Sequence, residues 1–359
     1  MTFSTANTLL SLLSIDHPIV QAPMAGVSTP EMAAAVANAG ALGSIGVGAT
    51  DASGARKMIA AFRERSNRSL NVNVFCHSPA NADAAREAAW ILRFRPEFEH
   101  LGAVTPRTLS EIYRSFLVDD DMLAALVLAR PRVVSFHFGL PSPERIRALR
   151  DAGIVLFGTA TSLNEARRLV AGGVHAIVAQ GYEAGGHRGV FDPDASDDRL
   201  GTMALTRILV RELRVPIVSA GGIMDGAGIA AALRLGASGA QLGTAFVTTA
   251  ESLADDGYRR AMASDAAHHT VMTRAISGRP ARCLANRFTA WGADIDPREI
   301  PDYPIAYDLG KALNAAGKRA HEPGFGAQWA GQGAPLARSL PAGDLVATLV
   351  AEMSSDRGE

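Results

Sequence analysis

Short apolar runs and longer stretches with apolar residues at helical spacing alternate along this chain. The runs fall at 19–23, 41–45, 70–75, 133–138, 154–159, 176–180, 216–220 and 240–243. Each has the length and continuous apolar character of a strand buried on both faces. Helices are expected at 30–38, 53–65, 143–151, 163–170, 203–213, 227–235 and 342–353. The first has Thr29 as N-cap, Pro30 at its first position and Gly40 as its stop; later ones end near Gly153, Gly172 and Gly236. Buried strands alternating with helices make a parallel sheet, and eight such units closing on themselves make a (β/α)8 TIM barrel. An open doubly wound sheet would carry Gly-x-Gly-x-x-Gly after its first strand. Here that turn reads Pro23-Met24-Ala25-Gly26-Val27-Ser28, and Gly43-Ser44-Ile45-Gly46-Val47-Gly48 has the wrong spacing.

Two segments interrupt the alternation. Residues 79–132 are long and charged, and read as a helical insert after strand three. Residues 251–359 form a C-terminal extension. Its stretch 294–310 carries Pro297, Pro301, Tyr303, Pro304 and Tyr307 among few apolar runs, and reads as loop packed over something. The chain is thus expected to be a barrel over 1–250 and an extension over 251–359 that covers the barrel mouth and contributes to the substrate pocket.

Composition narrows the class. Lys and Arg total 35 against 36 Asp and Glu, a net charge of -1, which gives no electrostatic footprint for nucleic acid or an anionic membrane. The only cysteines, Cys76 and Cys283, exclude a disulfide framework and suit a reducing compartment. The first fourteen residues carry no Lys or Arg before Leu9-Leu10, so no secretory leader is expected. No apolar run reaches the ~18 residues of a membrane span. A cytoplasmic protein is expected, as monomer or homodimer.

Barrel enzymes keep their sites at the C-terminal strand ends, with phosphate commonly held after strands seven and eight. Ser219-Ala220-Gly221-Gly222-Ile223 and Gln241-Leu242-Gly243-Thr244 occupy those places. Glycines let backbone N–H groups approach phosphate oxygens, although a single such loop can equally well only turn the chain. After strand six, Gln180-Gly181-Tyr182-Glu183-Ala184-Gly185-Gly186-His187-Arg188-Gly189 places a histidine on a mouth loop, where imidazole suits proton transfer. Arg188 can pair with an acid or face solvent. His137 ends strand four between Phe136 and Phe138, and is read as pocket-lining. Asn71 and Asn73 share one face of strand three, where they can meet a flavin edge or bond a neighbouring strand. The remaining histidines show no metal-like grouping, and no metal site is expected.

These segments together resemble the nitronate monooxygenase family, formerly 2-nitropropane dioxygenase, and its class I bacterial members in particular. The matching residues are Pro23-Met24-Ala25-Gly26-Val27-Ser28, Phe136-His137-Phe138-Gly139, Gly181 to Gly189 and Ser219 to Ile223. The resemblance implies FMN without a metal, with contacts from Ala22, Pro23, Met24, Asn73, Gln180, Gly185, Gly221, Gly222, Gln241, Leu242, Gly243 and Thr244. It implies His187 as the catalytic histidine. It also implies substrate contacts from Tyr113, His137, Tyr258, Tyr303, Tyr307 and Lys311. The last three recur at a spacing of four, so they can share one helical face. The implied reaction is oxidation of an anionic alkyl nitronate, propionate 3-nitronate foremost, by O2 to a carbonyl compound with nitrite and some nitrate, via a flavin semiquinone. The fold alone does not separate this from an FMN-dependent NAD(P)H reductase of quinones or enoyl-thioesters. A non-catalytic flavin sensor and a flavin-free sugar-phosphate enzyme are further alternatives.

Overall fold

The computed structural model describes residues 5–355; the stretch 1–4, part of the segment read for a leader, lies outside the described residues. Eight parallel strands form the barrel: β1 (Ile19–Gln21), β2 (Gly43–Gly46), β3 (Leu70–Phe75), β4 (Val133–His137), β5 (Val155–Ala160), β6 (Ala176–Gln180), β8 (Ile217–Ala220) and β9 (Gly239–Leu242). Their order is β1-β9-β8-β6-β5-β4-β3-β2, and a parallel bridge from Val20 to Leu42 brings the two ends together. All eight expected runs are strands, with ends moved by a few residues.

The outer helices are α2 (Pro30–Asn38), α3 (Ala52–Arg63), α6 (Pro143–Asp151), α7 (Leu163–Ala171), α8 (Thr202–Glu212) and α9 (Gly226–Arg234). Side-chain caps start most of them: Thr29, Asp51, Ser142, Ser162 and Asp225 each accept a first-turn N–H. Helix α1 (Thr5–Leu13), which the sequence pattern did not signal, plugs the barrel floor. Its Leu9 and Leu13 pack with Val133, Val155 and Val218 from the strands.

The insert and the extension each divide in two. In the insert, α5 (Asp120–Ala129) packs between α3 and α6, the place of a third barrel helix. Helix α4 (Ala84–His100) instead joins the extension on the mouth side. There Trp90, Phe94 and Phe98 pack against α12 (Arg287–Trp291) and α13 (Ile305–Arg319). The extension continues from α10 (Thr244–Val247) through α11 (Asp256–Met262). Its last helix, α14 (Ala342–Ser355), returns to pack on α9 and α2, the place of an eighth barrel helix. Most of the extension is therefore threaded between strand eight and helix eight.

A second, antiparallel sheet stands over the mouth: β10 (Thr270–Thr273), β11 (Ala281–Leu284) and β7 (Gly186–His187). His187 pairs with Ala281, so the glycine–histidine loop is stitched to the extension. The stretch expected as loop at 294–310 holds the start of α13, but Tyr303 precedes that helix. Tyr303, Tyr307 and Lys311 do not share one helical face, because Pro304 restricts the residue before it and helix begins only at Ile305.

Candidate active site

One cavity opens at the C-terminal ends of the strands. Ala22, Pro23 and Met24 enter it after β1, Asn73 from β3, His137 from β4 and Gln180 from β6. Gly185, His187, Gly221, Gly222, Gln241, Gly243 and Thr244 line it from the loops, and Tyr113, Tyr258, Tyr303 and Tyr307 from the insert and extension. Two expected residues do not reach it. Leu242 points into the apolar core with Ile19 and Met32, because strand alternation turns it away from Gln241. Lys311 is exposed behind the tyrosines, its Nζ 4.7 Å from the Tyr113 ring centre and 5.5 Å from that of Tyr307.

The strand-seven and strand-eight loops fit a phosphate. Gly221 and Gly222 have φ of +117° and +71°, which L side chains rarely adopt. The backbone N–H groups of Gly222, Gly243 and Thr244 meet no acceptor among the described residues, yet all three line the cavity. Free backbone donors converging on a concave site suit an anion. Helix α10 has only four residues, so its dipole adds little. Gly185 has another use: a Cβ there would stand 2.4 Å from the Gly331 nitrogen, so its small size admits the chain's own backbone. Asn73 splits its amide. Nδ2 donates to Ser135 O and Oγ at 3.0 Å, and Oδ1 stays open to the cavity. Asn71 stays inside the barrel, donating to Ser44 Oγ at 3.1 Å.

His187 is fixed at both ends. Its carbonyl accepts Nε2–H bonds from Gln180 at 3.0 Å and His137 at 3.2 Å. Gln180 Oε1 accepts from Gly189 N at 2.7 Å, so both ends of that amide position the loop. The His187 ring packs among Trp329, Tyr303, Phe138 and Tyr307, with ring centres 5.1, 5.3, 5.6 and 6.0 Å away. Its accessible edge faces the cavity. Burial, reinforced by His137, Arg279 and His77, pushes its pKa down to about 3, so the ring is neutral at ordinary pH. Burial likewise lowers His137 to about 4. Arg188 sits behind the loop, 2 % exposed, and pairs with Asp197 at 2.8 Å.

Arg279 and Ser277, on the β10–β11 turn, carry no sequence signal because their partners lie about ninety positions away. Arg279 is 3 % exposed and has no ion-pair partner among the described residues. Its guanidinium lies 4.3 Å from the Phe138 ring centre and bonds the Val190 carbonyl. Phe138, at φ +73°, is held in a conformation that bulky residues seldom take. Trp329 was also unforeseen; its indole donates to Tyr307 Oη at 3.3 Å, and its carbonyl accepts from Tyr258 Oη. Burial raises the Tyr307 phenol to about 12 and the Tyr303 phenol well above its usual value. Tyr303 Oη is buried without a hydrogen-bond partner, on a residue that lines the cavity. Such a group invites a polar ligand atom. The arrangement can hold an anionic, planar cofactor beside a neutral imidazole, with phenols and a buried cation close by.

The chain is similar to known proteins along nearly its whole length. The sequence model described as Nitronate monooxygenase matches residues 6–352. The chain is 62% identical over 345 residues to a protein named Nitronate monooxygenase from Paraburkholderia phytofirmans, covering 96% of this chain and 94% of that one. It is 50% identical over 344 residues to one of the same name from Pseudomonas aeruginosa, covering 95% and 97%. Among solved structures it is similar to nitroalkane oxidase from Streptomyces ansochromogenes, with a TM-score of 0.88, 40% identity and coverage of 97% and 98%. FabK from Thermotoga maritima is similar at a TM-score of 0.73 and 28% identity, covering 98% and 96%.

Proposed function

The chain belongs to the nitronate monooxygenase family, a family of flavin-dependent oxidoreductases, and from that premise we propose that it oxidises alkyl nitronates with O2, using FMN. The carrying observation is the neutral, doubly anchored His187 at a cavity whose glycine loops offer free backbone donors. In this reading Gly222, Gly243 and Thr244 hold the FMN phosphate, and Asn73 Oδ1 and Gln241 meet the ring edge. FMN held there would supply one-electron redox chemistry between the substrate and O2.

The chain's own groups bind and orient the substrate. Tyr303, whose ring packs against His187, walls the substrate space. Tyr113, Tyr258 and Tyr307 enclose the organic part. Arg279 and, from behind the tyrosines, Lys311 add positive potential that favours an anion such as propionate 3-nitronate. Burial keeps the His187 imidazole neutral before substrate binds, so it can act as a proton acceptor: when a neutral nitroalkane enters, the α C–H bond breaks, the proton passes to the imidazole, and the nitronate anion remains beside the imidazolium. Products are a carbonyl compound with nitrite and some nitrate. Two buried, unpaired cysteines suit a cytoplasmic setting.

Oxygen uptake on adding propionate 3-nitronate to the yellow protein, without pyridine nucleotide, tests the reading. Bleaching of the flavin by NADH or NADPH under anaerobic conditions, with no nitronate-dependent uptake, would favour the reductase alternative.

A further inference from the structure

His187 Nε2 lies 2.9 Å from Ser277 Oγ, a hydroxyl on a residue with no exposed surface. Ser277 has one proton to give and three polar neighbours. Besides the imidazole, they are the Arg279 carbonyl at 3.3 Å and the Arg279 amide at 3.4 Å. The amide can only donate. The Arg279 carbonyl accepts from no other donor among the described residues, and Arg279 is 3 % exposed. A buried carbonyl left without a donor is costly, so the Ser277 proton belongs there. The Ser277 lone pairs then face the Arg279 amide and His187 Nε2, and Nε2 must bring its own proton. A neutral imidazole with its proton on Nε2 has none on Nδ1. His187 Nδ1 has no hydrogen-bond partner among the described residues and is not buried, so it opens on the cavity.

We propose that Ser277 is a positioning residue that holds His187 as its Nε2–H tautomer, and so keeps an unprotonated Nδ1 turned towards the substrate. This rests on the reading of His187 as the proton acceptor given above.

The turn that carries Ser277 is itself immobilised. Gly278 has φ +93°, and a Cβ there would lie 2.7 Å from both Pro301 O and Tyr303 N. Gly310 of α13 presses on the same turn; its Cβ would lie 2.5 Å from Ile276 O. The His187 backbone is clamped by Gln180 and His137 through its carbonyl, and the ring by Ser277 through Nε2. His137, His77 and Arg279 surround the ring and disfavour a second proton on it. Tautomer is therefore the one freedom left to the imidazole, and a single hydroxyl settles it.

The test is ¹H–¹⁵N correlation spectroscopy of the flavin-loaded protein labelled at histidine. The His187 signals are identified by their loss in His187→Asn. A proton on Nε2 and none on Nδ1, between about pH 6 and 8, is expected. A proton on Nδ1, or on both nitrogens, overturns the proposal. Ser277→Ala should release a mixture of tautomers with the flavin retained. Its turnover of a neutral nitroalkane should fall about tenfold or more, and further than that of the matching nitronate, which brings no α-proton. Ser277→Thr, which keeps the hydroxyl, should restore the wild-type tautomer. An unchanged tautomer in Ser277→Ala would also overturn the proposal. Full turnover by His187→Asn would sink the role of His187 while leaving the tautomer result standing, so the two failures are separable.

Discussion

At the scale of single residues, the proposed proton transfer depends on His187. His187→Asn should keep the flavin, since none of the free backbone donors belongs to it, and should lose about 10²–10⁴-fold in nitroalkane turnover. Flavin spectra and oxygen uptake measure the two effects separately. Lys311→Met should raise KM for a carboxylated nitronate more than for a neutral-tailed one. Equal changes would show that the Lys311 charge is not felt at the substrate carboxylate. His187, His137 and Asn73 were legible as site residues because strand ends and loop position place them at a barrel mouth. Their bonds were not. Gln180 is implied as a flavin contact by the resemblance, and both ends of its amide also bond the His187 loop, at His187 and Gly189. Leu242 was drawn in by its neighbours, although alternation along a strand sends it to the core.

At the scale of elements, the small mouth sheet matters most. Strand β7 has two residues and no periodicity to betray it, and β10 and β11 lie in what reads as tail. The pairing of His187 with Ala281 spans more than ninety positions, beyond the reach of any local pattern. Barrel strands and their helices were legible because continuous apolar runs and N-caps are local signals. Close backbone crossings hold the mouth together. Gly185→Ala would place a Cβ 2.4 Å from Gly331 N and 2.5 Å from Ala330 C, both backbone atoms. It should lower Tm, at a cost of about 1–3 kcal/mol for overpacking, and weaken flavin retention by shifting the segment that carries Trp329. A variant with wild-type Tm and flavin content would show that the crossing tolerates displacement.

At the scale of the whole molecule, the chain is a barrel with a second storey. Helix α4 from the insert and most of the extension build the upper level, and α14 returns to finish the lower one. The buried His77 and the half-buried His137 and His187 sit where the levels meet. Burial lowers His77 and His137 to about 4 and His187 to about 3, from a usual 6.5. Between those limits the unfolded chain binds more protons than the native one. Their contribution to stability is therefore complete above about pH 6.5 and lost as the pH falls towards 4. The urea midpoint should drop on acidification through this window, and His77→Phe should flatten the drop. A midpoint independent of pH there would contradict the buried, neutral cluster.

A barrel that turns over nitronates with O2 on its own flavin needs no reduced pyridine nucleotide. The decisive measurement is oxygen consumption by the purified yellow protein with propionate 3-nitronate, in the absence of NADH and NADPH. Rapid uptake with nitrite among the products is expected. A yellow protein that consumes no oxygen with the nitronate, and is bleached instead by NADH or NADPH, would contradict this reading.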